Sequence, residues 1–343
     1  MKAVVIKGHG DIDQVAIEEV DTPRPKTNEV LVNVKAAALN HLDLFVIQGL
    51  PGLELTMPHI LGADGSGVVT QVGEGVKNFR RGDAVMINPG ISCDVCEFCE
   101  MGEQSLCPKF GILGEHFPGT FAEYVAVPEK NLAYLPRTSS YEDAAAFTLA
   151  FLTAWRMLIT KAAIKPSETI LIHGIGGGVA TACMQIALHA SLRVIVTSSS
   201  IDKLERAKGY GSHYEINYNK EDIYQRIRHI TGKRGVDIVV DSVGEKTWNN
   251  TIRCVRKGGR IVTCGATTGP GPIEDLSRIF WNQISIMGST MGSRSDFRGV
   301  VRFHESKKVR PIIQKIYGFE DAQKALSDLK KQKQFGKLVL AMP

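Results

Sequence analysis

The sequence predicts an α/β protein of two domains: a β-barrel-like domain and a doubly wound domain built on a parallel sheet. Three observations carry this prediction. The chain has 343 residues, more than one ordinary core needs. Its first 135 residues are rich in short β-like runs. From about residue 150 onwards, strands alternate with helices.

The β-rich part consists of short apolar runs with turns between them and little helical periodicity. The runs are MKAVVIK, EVLVNVKAAA, GSGVVTQVG, DAVMINP and FAEYVAVP. Turn segments such as GEG (73–75) and RGD (81–83) separate them. Frequent strands with turns between them are typical of a compact barrel-like domain.

The second part alternates buried strands with helices. Runs rich in Val and Ile predict its strands, at 168–174, 193–200, 235–244, 258–266 and 282–290. A helix is predicted at 179–190 and another through KLERAKGYG. Continuous Val/Ile runs, rather than alternating ones, indicate a parallel sheet covered on both faces.

The end of the chain is expected to return to the first domain. It contains a predicted helix around DAQKALSDLKKQK and a predicted strand, GKLVLAMP. The barrel-like domain is therefore predicted over 1–149 and 291–343, and the doubly wound domain over 150–290.

Composition excludes several classes of protein. The net charge of +5 is scattered, with KKQK as the one dense group, so the basic stripe of a nucleic-acid binder is missing. No run approaches the ~18 apolar residues of a membrane span, and the N-terminus does not read as a signal peptide. Seven cysteines, four of them clustered, do not form a secreted disulfide pattern. We expect a cytoplasmic protein with no nucleic-acid or membrane partner.

A glycine-rich segment, HGIGGGVA (173–180), lies between the first strand and the first helix of the alternating part. A doubly wound fold places a cofactor pyrophosphate there, on the N-terminus of the helix. The literal Gly-x-Gly is Gly174 and Gly176, but the third position of the motif is Val179. A plain tight turn is the alternative. The strand before it and the helix after it favour a nicotinamide dinucleotide site.

The end of the second strand favours NADP(H) over NAD(H). An acidic residue about 20 residues beyond the glycines would bind the ribose hydroxyls of NAD. The chain instead has TSSS (197–200), with Lys203 just beyond. Hydroxyls and a nearby cation suit an added 2′-phosphate. Ser200 could also cap the next helix.

Four cysteines lie in one short segment, with the spacing Cys93-x2-Cys96-x2-Cys99-x7-Cys107. Four thiolates can surround Zn²⁺ tetrahedrally, and an all-cysteine site leaves no position open for substrate. An iron–sulfur cluster and disulfides are the alternatives, and both fit less well. The spacing predicts one structural zinc per chain, in a lobe at about 90–110.

The cysteine lobe, the glycine loop and the two-domain pattern together resemble the medium-chain dehydrogenase/reductase superfamily. This superfamily includes the zinc alcohol dehydrogenases and the zinc-free quinone reductases. The resemblance covers essentially the whole chain. It implies a GroES-like catalytic domain, split in sequence, around a Rossmann domain, and a homodimer or homotetramer. The cysteine lobe matches the structural-zinc lobe of the alcohol dehydrogenases.

The catalytic metal is where the sequence departs from the zinc enzymes. Asn40 stands where they have a ligand Cys, and Leu42 where they have a proton-relaying Ser or Thr. Their Gly-His-Glu motif is Gly-Ala-Asp here, with Ala63 in place of the ligand His. The third ligand should fall near 147–150, where no ligating side chain occurs, and FLTAW (151–155) resembles quinone reductases. We therefore expect no conventional catalytic zinc.

The resemblance nevertheless places polar side chains at this position. Asn40 is a candidate amide donor to a substrate or cofactor oxygen. His41 occupies a position that commonly contacts the cofactor pyrophosphate, or it could relay a proton. Asp43 and Asp64 could orient these groups. The alternatives are that Asn40 caps a turn, that Asp43 satisfies backbone donors, or that an unusual zinc site forms from His41, His59, Asp64 or His116.

The cofactor is expected to contact several residues. Thr153 is expected to help close the nicotinamide pocket. Gly177, Gly178 and Val179 are expected to present backbone N–H groups to the pyrophosphate.

The remaining cofactor residues belong to later segments. Ser199, Lys203 and Tyr218 lie where NADPH-using quinone reductases hold the adenosine phosphate. Gly244 and Gly265 end later parallel strands, where such sheets open onto ligand.

These features predict an NAD(P)H-dependent oxidoreductase. It would transfer hydride between the cofactor and a small carbonyl or conjugated carbonyl, such as a quinone or enal, without a catalytic zinc. The first alternative is a zinc-dependent alcohol dehydrogenase with altered metal ligands. The second is a nucleotide-binding protein with no catalysis.

Overall fold

The computed structural model of the protein divides into two compact units. The first comprises Met1–Ala150 and Gly292–Pro343, and the second comprises Phe151–Met291. The residues that the structure describes are 1–271, 276–306 and 309–343. None of the described helices has both the length and the apolar character that crossing a bilayer requires.

The strands and helices are numbered here in chain order. The strands are β1 (Lys2–Ile6), β2 (Val15–Glu19), β3 (Glu29–Ala38), β4 (His59–Ile60), β5 (Asp64–Val72), β6 (Ala84–Ile87), β7 (Gly90–Ile91), β8 (Gly111–Ile112), β9 (Tyr124–Pro128), β10 (Leu132–Tyr134), β11 (Thr169–Ile172), β12 (Arg193–Ser198), β13 (Tyr214–Asn217), β14 (Val236–Asp241), β15 (Val255–Thr263), β16 (Ser285–Gly288), β17 (Ile313–Gly318) and β18 (Lys337–Ala341). The helices are α1 (His41–Gln48), α2 (Glu97–Glu100), α3 (Tyr141–Trp155), α4 (Gly178–His189), α5 (Ile201–Gly209), α6 (Ile223–Ile230), α7 (Glu245–Cys254), α8 (Leu276–Asn282), α9 (Arg294–Glu305) and α10 (Ala322–Lys330).

The first unit is built on a largely antiparallel sheet in the order β10-β6-β5-β3-β18-β17, with β9 also paired to β3. β3 is its central strand, and its last residue, Ala38, pairs with Asp64 of β5 on one side and with Val339 of β18 on the other. The start of β5 and the start of β18 therefore meet beside the end of β3. This register places the candidate site.

The sequence of β3 explains why its end is enclosed. Its alternation of buried and half-buried residues gives way to three alanines that are all fully buried. Ala36 and Ala38 pack against Ala145 and Ala146 of α3. Small side chains on both elements let the helix approach the sheet closely. The N-terminal part of α3 thus covers the end of the strand.

The second unit is a six-stranded parallel sheet in the order β13-β12-β11-β14-β15-β16 among the described residues. This order is that of a Rossmann fold. All six residues of β14 and all four of β11 are buried, as expected for strands that are covered on both faces. The predicted fold class, a GroES-like barrel domain with a Rossmann domain, is confirmed.

One strand begins earlier than the sequence indicated. The predicted strand GGRIVTCGA begins at Gly258, whereas β15 begins upstream of it. It starts at Val255, which pairs with Val236, and the register then shifts before Arg260 pairs with Ile238. Gly258 has a φ of +65° within this irregularity. Gly258 and Gly259 therefore lie in an irregular, bulged segment inside the strand and not at its boundary.

Candidate functional site

Asn40, Asp43 and Asp64 come together at the end of β3. Asn40 is the N-cap residue of α1, and its backbone N–H donates to Asp43 Oδ2 at 2.7 Å. Asp64, the first residue of β5, lies within hydrogen-bond distance of the Asn40 side chain. His41 is the first residue of α1 and is half-buried. The capping role considered for Asn40 and the backbone role considered for Asp43 are thus both present.

A lysine that sequence reasoning missed completes the group. Lys337 Nζ donates to Asn40 Oδ1 at 2.6 Å and to Asp64 Oδ2 at 2.8 Å. Asn40 Nδ2 also donates to Asp64 Oδ2 at 2.9 Å, which closes a triangle of three side chains. We call Asn40, Asp64 and Lys337 the polar triangle. Its ammonium thus contacts Asn40, the residue that stands at one of the ligand positions of the zinc enzymes.

The second oxygen of Asp64 is bound from α3. Thr148 Oγ1 donates to Asp64 Oδ1 at 2.5 Å, and the Leu149 backbone N–H donates to the same oxygen at 2.6 Å. Asp64 is fully buried and Lys337 is 4% exposed. A carboxylate can be kept this far from water because it receives a cation and several hydrogen bonds.

Asp43 lies close to the triangle and has an unusual proton affinity. Burial raises the pKa of Asp43 to about 7. The N–H of Asn40 and the charge of Lys337 oppose this rise, whereas the negative charge of Asp64 adds to it. Near neutral pH the Asp43 carboxyl is therefore close to half-protonated, in a site that is closed to solvent.

The residues at this position do not fit a catalytic zinc. Ala63 carries no donor atom, and the side chain that binds Asp64 Oδ2 is a cation. Both oxygens of Asp64 already accept hydrogen bonds. Zinc sites need about three nitrogen, sulfur or carboxylate ligands. The Lys337 ammonium between Asn40 and Asp64 would repel a metal ion bound there.

The histidines considered for an unusual zinc site do not assemble one. His59 Nε2 lies 3.2 Å from the Gly114 carbonyl oxygen. His116 Nδ1 accepts from the Ile112 N–H and lies 3.5 Å from Glu115. Within the described ranges, the four cysteines form the one group of three or more potential ligands close enough to share a metal.

The cysteine cluster does fit a zinc ion. The Sγ atoms of the four cysteines lie within 4.8 Å of one another, as tetrahedral thiolate ligation requires. The backbone N–H groups of Cys93 and Lys109 donate to Cys107 Sγ. The Val95 N–H lowers the pKa of Cys93 to about 6, which favours its thiolate. Such N–H donors hold the thiolate ligands of a metal in place.

Charged residues brace the same lobe. Asp94 accepts from Lys130 and from Arg294, which joins the lobe to the start of α9. The Arg294 backbone N–H donates to Gln104 Oε1 at 3.1 Å. Two cations beside a centre that would carry a net negative charge complete a closed, structural arrangement. Zn²⁺ would supply only cross-linking there, because no position is left open.

The glycine loop of the second unit fits a cofactor pyrophosphate. Gly177 is the N-cap of the twelve-residue helix α4, which begins at Gly178. Gly176 has a φ of +125°, and a Cβ there would lie 2.7 Å from Lys203 Cδ. The backbone N–H groups at the start of α4 and the Lys203 ammonium offer hydrogen bonds and positive charge for an anion. Burial lowers the pKa of Lys203.

The other residues predicted for the cofactor lie on the same unit. Ser199 and Tyr218 are exposed. Ser200 caps α5 by accepting from the Lys203 N–H at 3.3 Å. Thr153 is buried, with Oγ1 3.9 Å from Met291 Sδ. Gly265 follows the end of β15.

Asp241, missed from the sequence, shapes the end of β14. It is fully buried, and it accepts from the backbone N–H groups of Val243 and Gly244 at 2.8 and 3.0 Å. Gly244 has a φ of +89° and caps α7. An acid at the end of a Val/Ile run was the available signal for Asp241. For Lys337, the signal was a charge at the head of the strand LVLA.

Two family profiles match the chain. That of the alcohol dehydrogenase GroES-like domain matches residues 26–137, and that of the zinc-binding dehydrogenases matches residues 178–306. An NAD-dependent alcohol dehydrogenase of Saccharolobus solfataricus is 34% identical over 95% of this chain and 96% of its own length. The chain belongs to the medium-chain dehydrogenase/reductase superfamily. The predicted membership is confirmed.

Other medium-chain dehydrogenases/reductases extend the comparison. The crystal structure of an NAD-dependent alcohol dehydrogenase superposes with a TM-score of 0.96, at 43% identity and with full coverage of both chains. An acryloyl-coenzyme A reductase of Metallosphaera sedula is 29% identical over 99% of both chains. This member of the superfamily is an oxidoreductase that uses a nicotinamide cofactor and acts on small molecules.

Proposed function

We propose that the protein reduces a small conjugated carbonyl with NADPH, at a site that uses no catalytic zinc, and carries one structural zinc in its cysteine lobe. The observation that supports this is the polar triangle. A buried ammonium binds Asn40 Oδ1 and Asp64 Oδ2, and Asn40 stands where the zinc enzymes have a ligand Cys. The similarity to an acryloyl-coenzyme A reductase agrees with a conjugated substrate.

A site that uses no catalytic zinc favours a substrate that is already polarised. Oxidising a simple alcohol needs a group that depresses the pKa of its hydroxyl, which a metal ion does well. A conjugated carbonyl is already polarised, so hydride can reach its β-carbon with less help. One hydride and one proton then convert the C=C bond to a saturated C–C bond, and NADPH becomes NADP⁺. The bound nicotinamide supplies the hydride.

The residues of this chain bind and orient. Gly177, Gly178 and Val179 bind the cofactor pyrophosphate through backbone N–H groups. Lys203 supplies positive charge for the adenosine 2′-phosphate. Lys337 acts as a positioning residue: it fixes the orientation of the Asn40 amide and of the Asp64 carboxylate through hydrogen bonds. Asp43 holds a proton near neutral pH. His41 remains a candidate for contact with cofactor or for proton transfer.

The test combines metal content with a substrate panel. We expect one zinc per chain by elemental mass spectrometry on protein purified without chelator or a metal-affinity step. NADPH oxidation, followed by absorbance, should be fastest with enals or quinones and should survive dialysis against a chelator. Two zincs per chain, with alcohol oxidation that chelation abolishes and zinc restores, would overturn the proposal. NADPH binding without turnover on the whole panel would indicate a binding protein.

NADPH preference is tested in the same assay. We expect kcat/KM for NADPH to exceed that for NADH, and Lys203→Gln to reduce the NADPH value by about tenfold, because one charge-assisted phosphate bond is lost. Lys208→Gln, which removes an exposed lysine from the same helix, is the matched control. Equal values for both cofactors in the wild-type protein would contradict the preference.

A further inference from the structure

The Rossmann unit has a strongly basic cavity that the proposed function does not use. It has a volume of about 170 Å³ and lies between α6, α7 and the starts of β14 and β15. Seven of its fourteen lining residues are Arg or Lys, and none is Asp or Glu. The cavity is also lined by Ile227, Ile252 and Val255, whose side chains are buried.

This cavity lies at the edge of the sheet opposite the glycine loop. The loop follows the carboxyl end of β11, whereas the cavity borders Gly235 and Val255, at the amino ends of β14 and β15. All strands of this sheet run parallel, so the two sites are separated by the length of the strands. A ligand in the cavity would not compete with the cofactor.

The cationic side chains are held in place from within. The guanidinium of Arg253 lies 4.2 Å from the centre of the Tyr224 ring, and that of Arg228 lies 5.6 Å from the same ring. Such cation–π contacts fix the direction of a guanidinium without neutralising it. Arg228 also donates to the Tyr224 hydroxyl at 3.4 Å.

Asp237 is hydrogen-bonded to two arginines of this group. Asp237 accepts from Arg234 and from Arg256, each at 2.6 Å. The pKa of Asp237 is held well below its usual range; burial works against this, and the bonds from Arg234, Thr169 and Arg256 produce it. Its negative charge is shared between Arg234 and Arg256, two of the seven cations. Arg228 and Arg253 also stand in the last turns of α6 and α7, where cations are favourable. Helix-end placement therefore explains two of the seven cations of the cavity.

We propose that this basic cavity binds a small anion with two or more phosphate groups. Clustered like charges around a cavity concentrate a positive potential, which an anion relieves. Arginines suit phosphate because their planar N–H groups bind its oxygens in pairs. The cavity is smaller than the about 300–1,000 Å³ that drug-sized ligands occupy. It therefore holds a diphosphate group, either free or as the head of a nucleotide.

The probe is inorganic pyrophosphate, titrated calorimetrically into protein saturated with NADPH so that the glycine loop is occupied. We expect one site per chain. The double variant Arg228→Gln/Arg253→Gln should bind on the order of tenfold or more weakly. The control double variant Lys77→Gln/Arg81→Gln removes two exposed cations from the first unit and should bind as the wild type does. Circular dichroism and NADPH affinity check that each variant is folded.

A second variant keeps the proposal testable if the arginine variant is unstable. Lys233→Gln/Lys257→Gln removes two exposed cations of the cavity and should also weaken pyrophosphate binding. ADP then separates the sources: tighter binding of ADP than of pyrophosphate indicates a nucleotide diphosphate, and the reverse indicates the free anion. No pyrophosphate binding by the NADPH-saturated wild type, or equal binding by cavity and control variants, would overturn the proposal.

Discussion

The first unit gathers strong polar groups at two places, the cysteine lobe and the polar triangle. Each can hold a cation among several side chains, but the source of the cation differs. In the lobe, four sulfur atoms surround a space that suits a divalent cation. In the triangle, an amide and a carboxylate converge on an ammonium that the chain itself supplies. The difference is that the lobe offers ligands to a metal from solution, whereas every group of the triangle comes from the chain itself.

We expect the largest effect from removing cysteines of the lobe. Cys93→Ser/Cys96→Ser removes two ligands, so zinc should be lost and the free energy of unfolding should fall by several kcal/mol, because metal binding stabilises such lobes directly. Elemental analysis and urea unfolding measure both effects. Glu97→Gln/Glu100→Gln changes two exposed acids of the same lobe and should keep zinc. Retention of zinc by the serine variant would remove the cysteines from the metal site.

The triangle should respond to loss of its cation and not to loss of metal. Lys337→Met leaves a fully buried carboxylate unpaired, which should cost about 3–5 kcal/mol of unfolding free energy. The double variant Lys337→Met/Asp64→Asn should recover much of this loss. Lys330→Met, which breaks the exposed pair with Asp11, should cost under about 1 kcal/mol. An equally small loss for Lys337→Met would show that the triangle is not an ion pair.

Asp43, beside the triangle, should make the free energy of unfolding depend on pH. Because Asp43 has a pKa of about 7 when folded, against 3.8 as the reference value, the folded state holds a proton that the unfolded chain releases between those values. Stability should therefore fall as pH rises from about 4 to about 7, by up to about 1.4 kcal/mol per pH unit. Asp43→Asn cannot ionise, so this part of the slope should disappear. Identical slopes from urea unfolding at several pH values would place the Asp43 pKa near its ordinary value.

The smallest expected effect concerns the glycine loop. Gly176→Ala places a Cβ at a φ of +125° and against Lys203, which should cost about 1–2 kcal/mol of stability and weaken NADPH binding. Gly209→Ala, at an open position on α5, is the control and should leave NADPH binding unchanged. A fluorescence titration with NADPH compares the two variants. Unchanged affinity in Gly176→Ala would argue against the loop as the pyrophosphate site.

The sequence predicted patterns that are local in the chain. The cysteine spacing, the glycine loop and the Val/Ile runs each lie within about fifteen residues, and the fold class that they indicate is confirmed. Lys337 could not be found in this way. Its partner Asp64 is 273 residues away, and only the register of β18 on β3 brings the two together.

Where sequence reasoning identified the residue, it could still miss the direction of its bonds. Asn40 was predicted as an amide donor toward a ligand. In the structure its Nδ2 donates to Asp64 Oδ2 and, at 3.3 Å, to the Ala38 carbonyl. Side-chain direction depends on neighbours from β5 and β18, which no local pattern reveals. The role proposed for Asn40 toward substrate stays a prediction.

The pairing of Asp64 with Lys337 also has a consequence for synthesis of the protein. A ribosome that makes about 5–20 residues per second needs on the order of tens of seconds to travel from Asp64 to Lys337. Throughout that interval β5 can pair with β3, but the buried carboxylate lacks its cation. Asp64 therefore stays without this partner until β18 has been synthesised. The triangle can therefore form only when synthesis of the chain is almost complete.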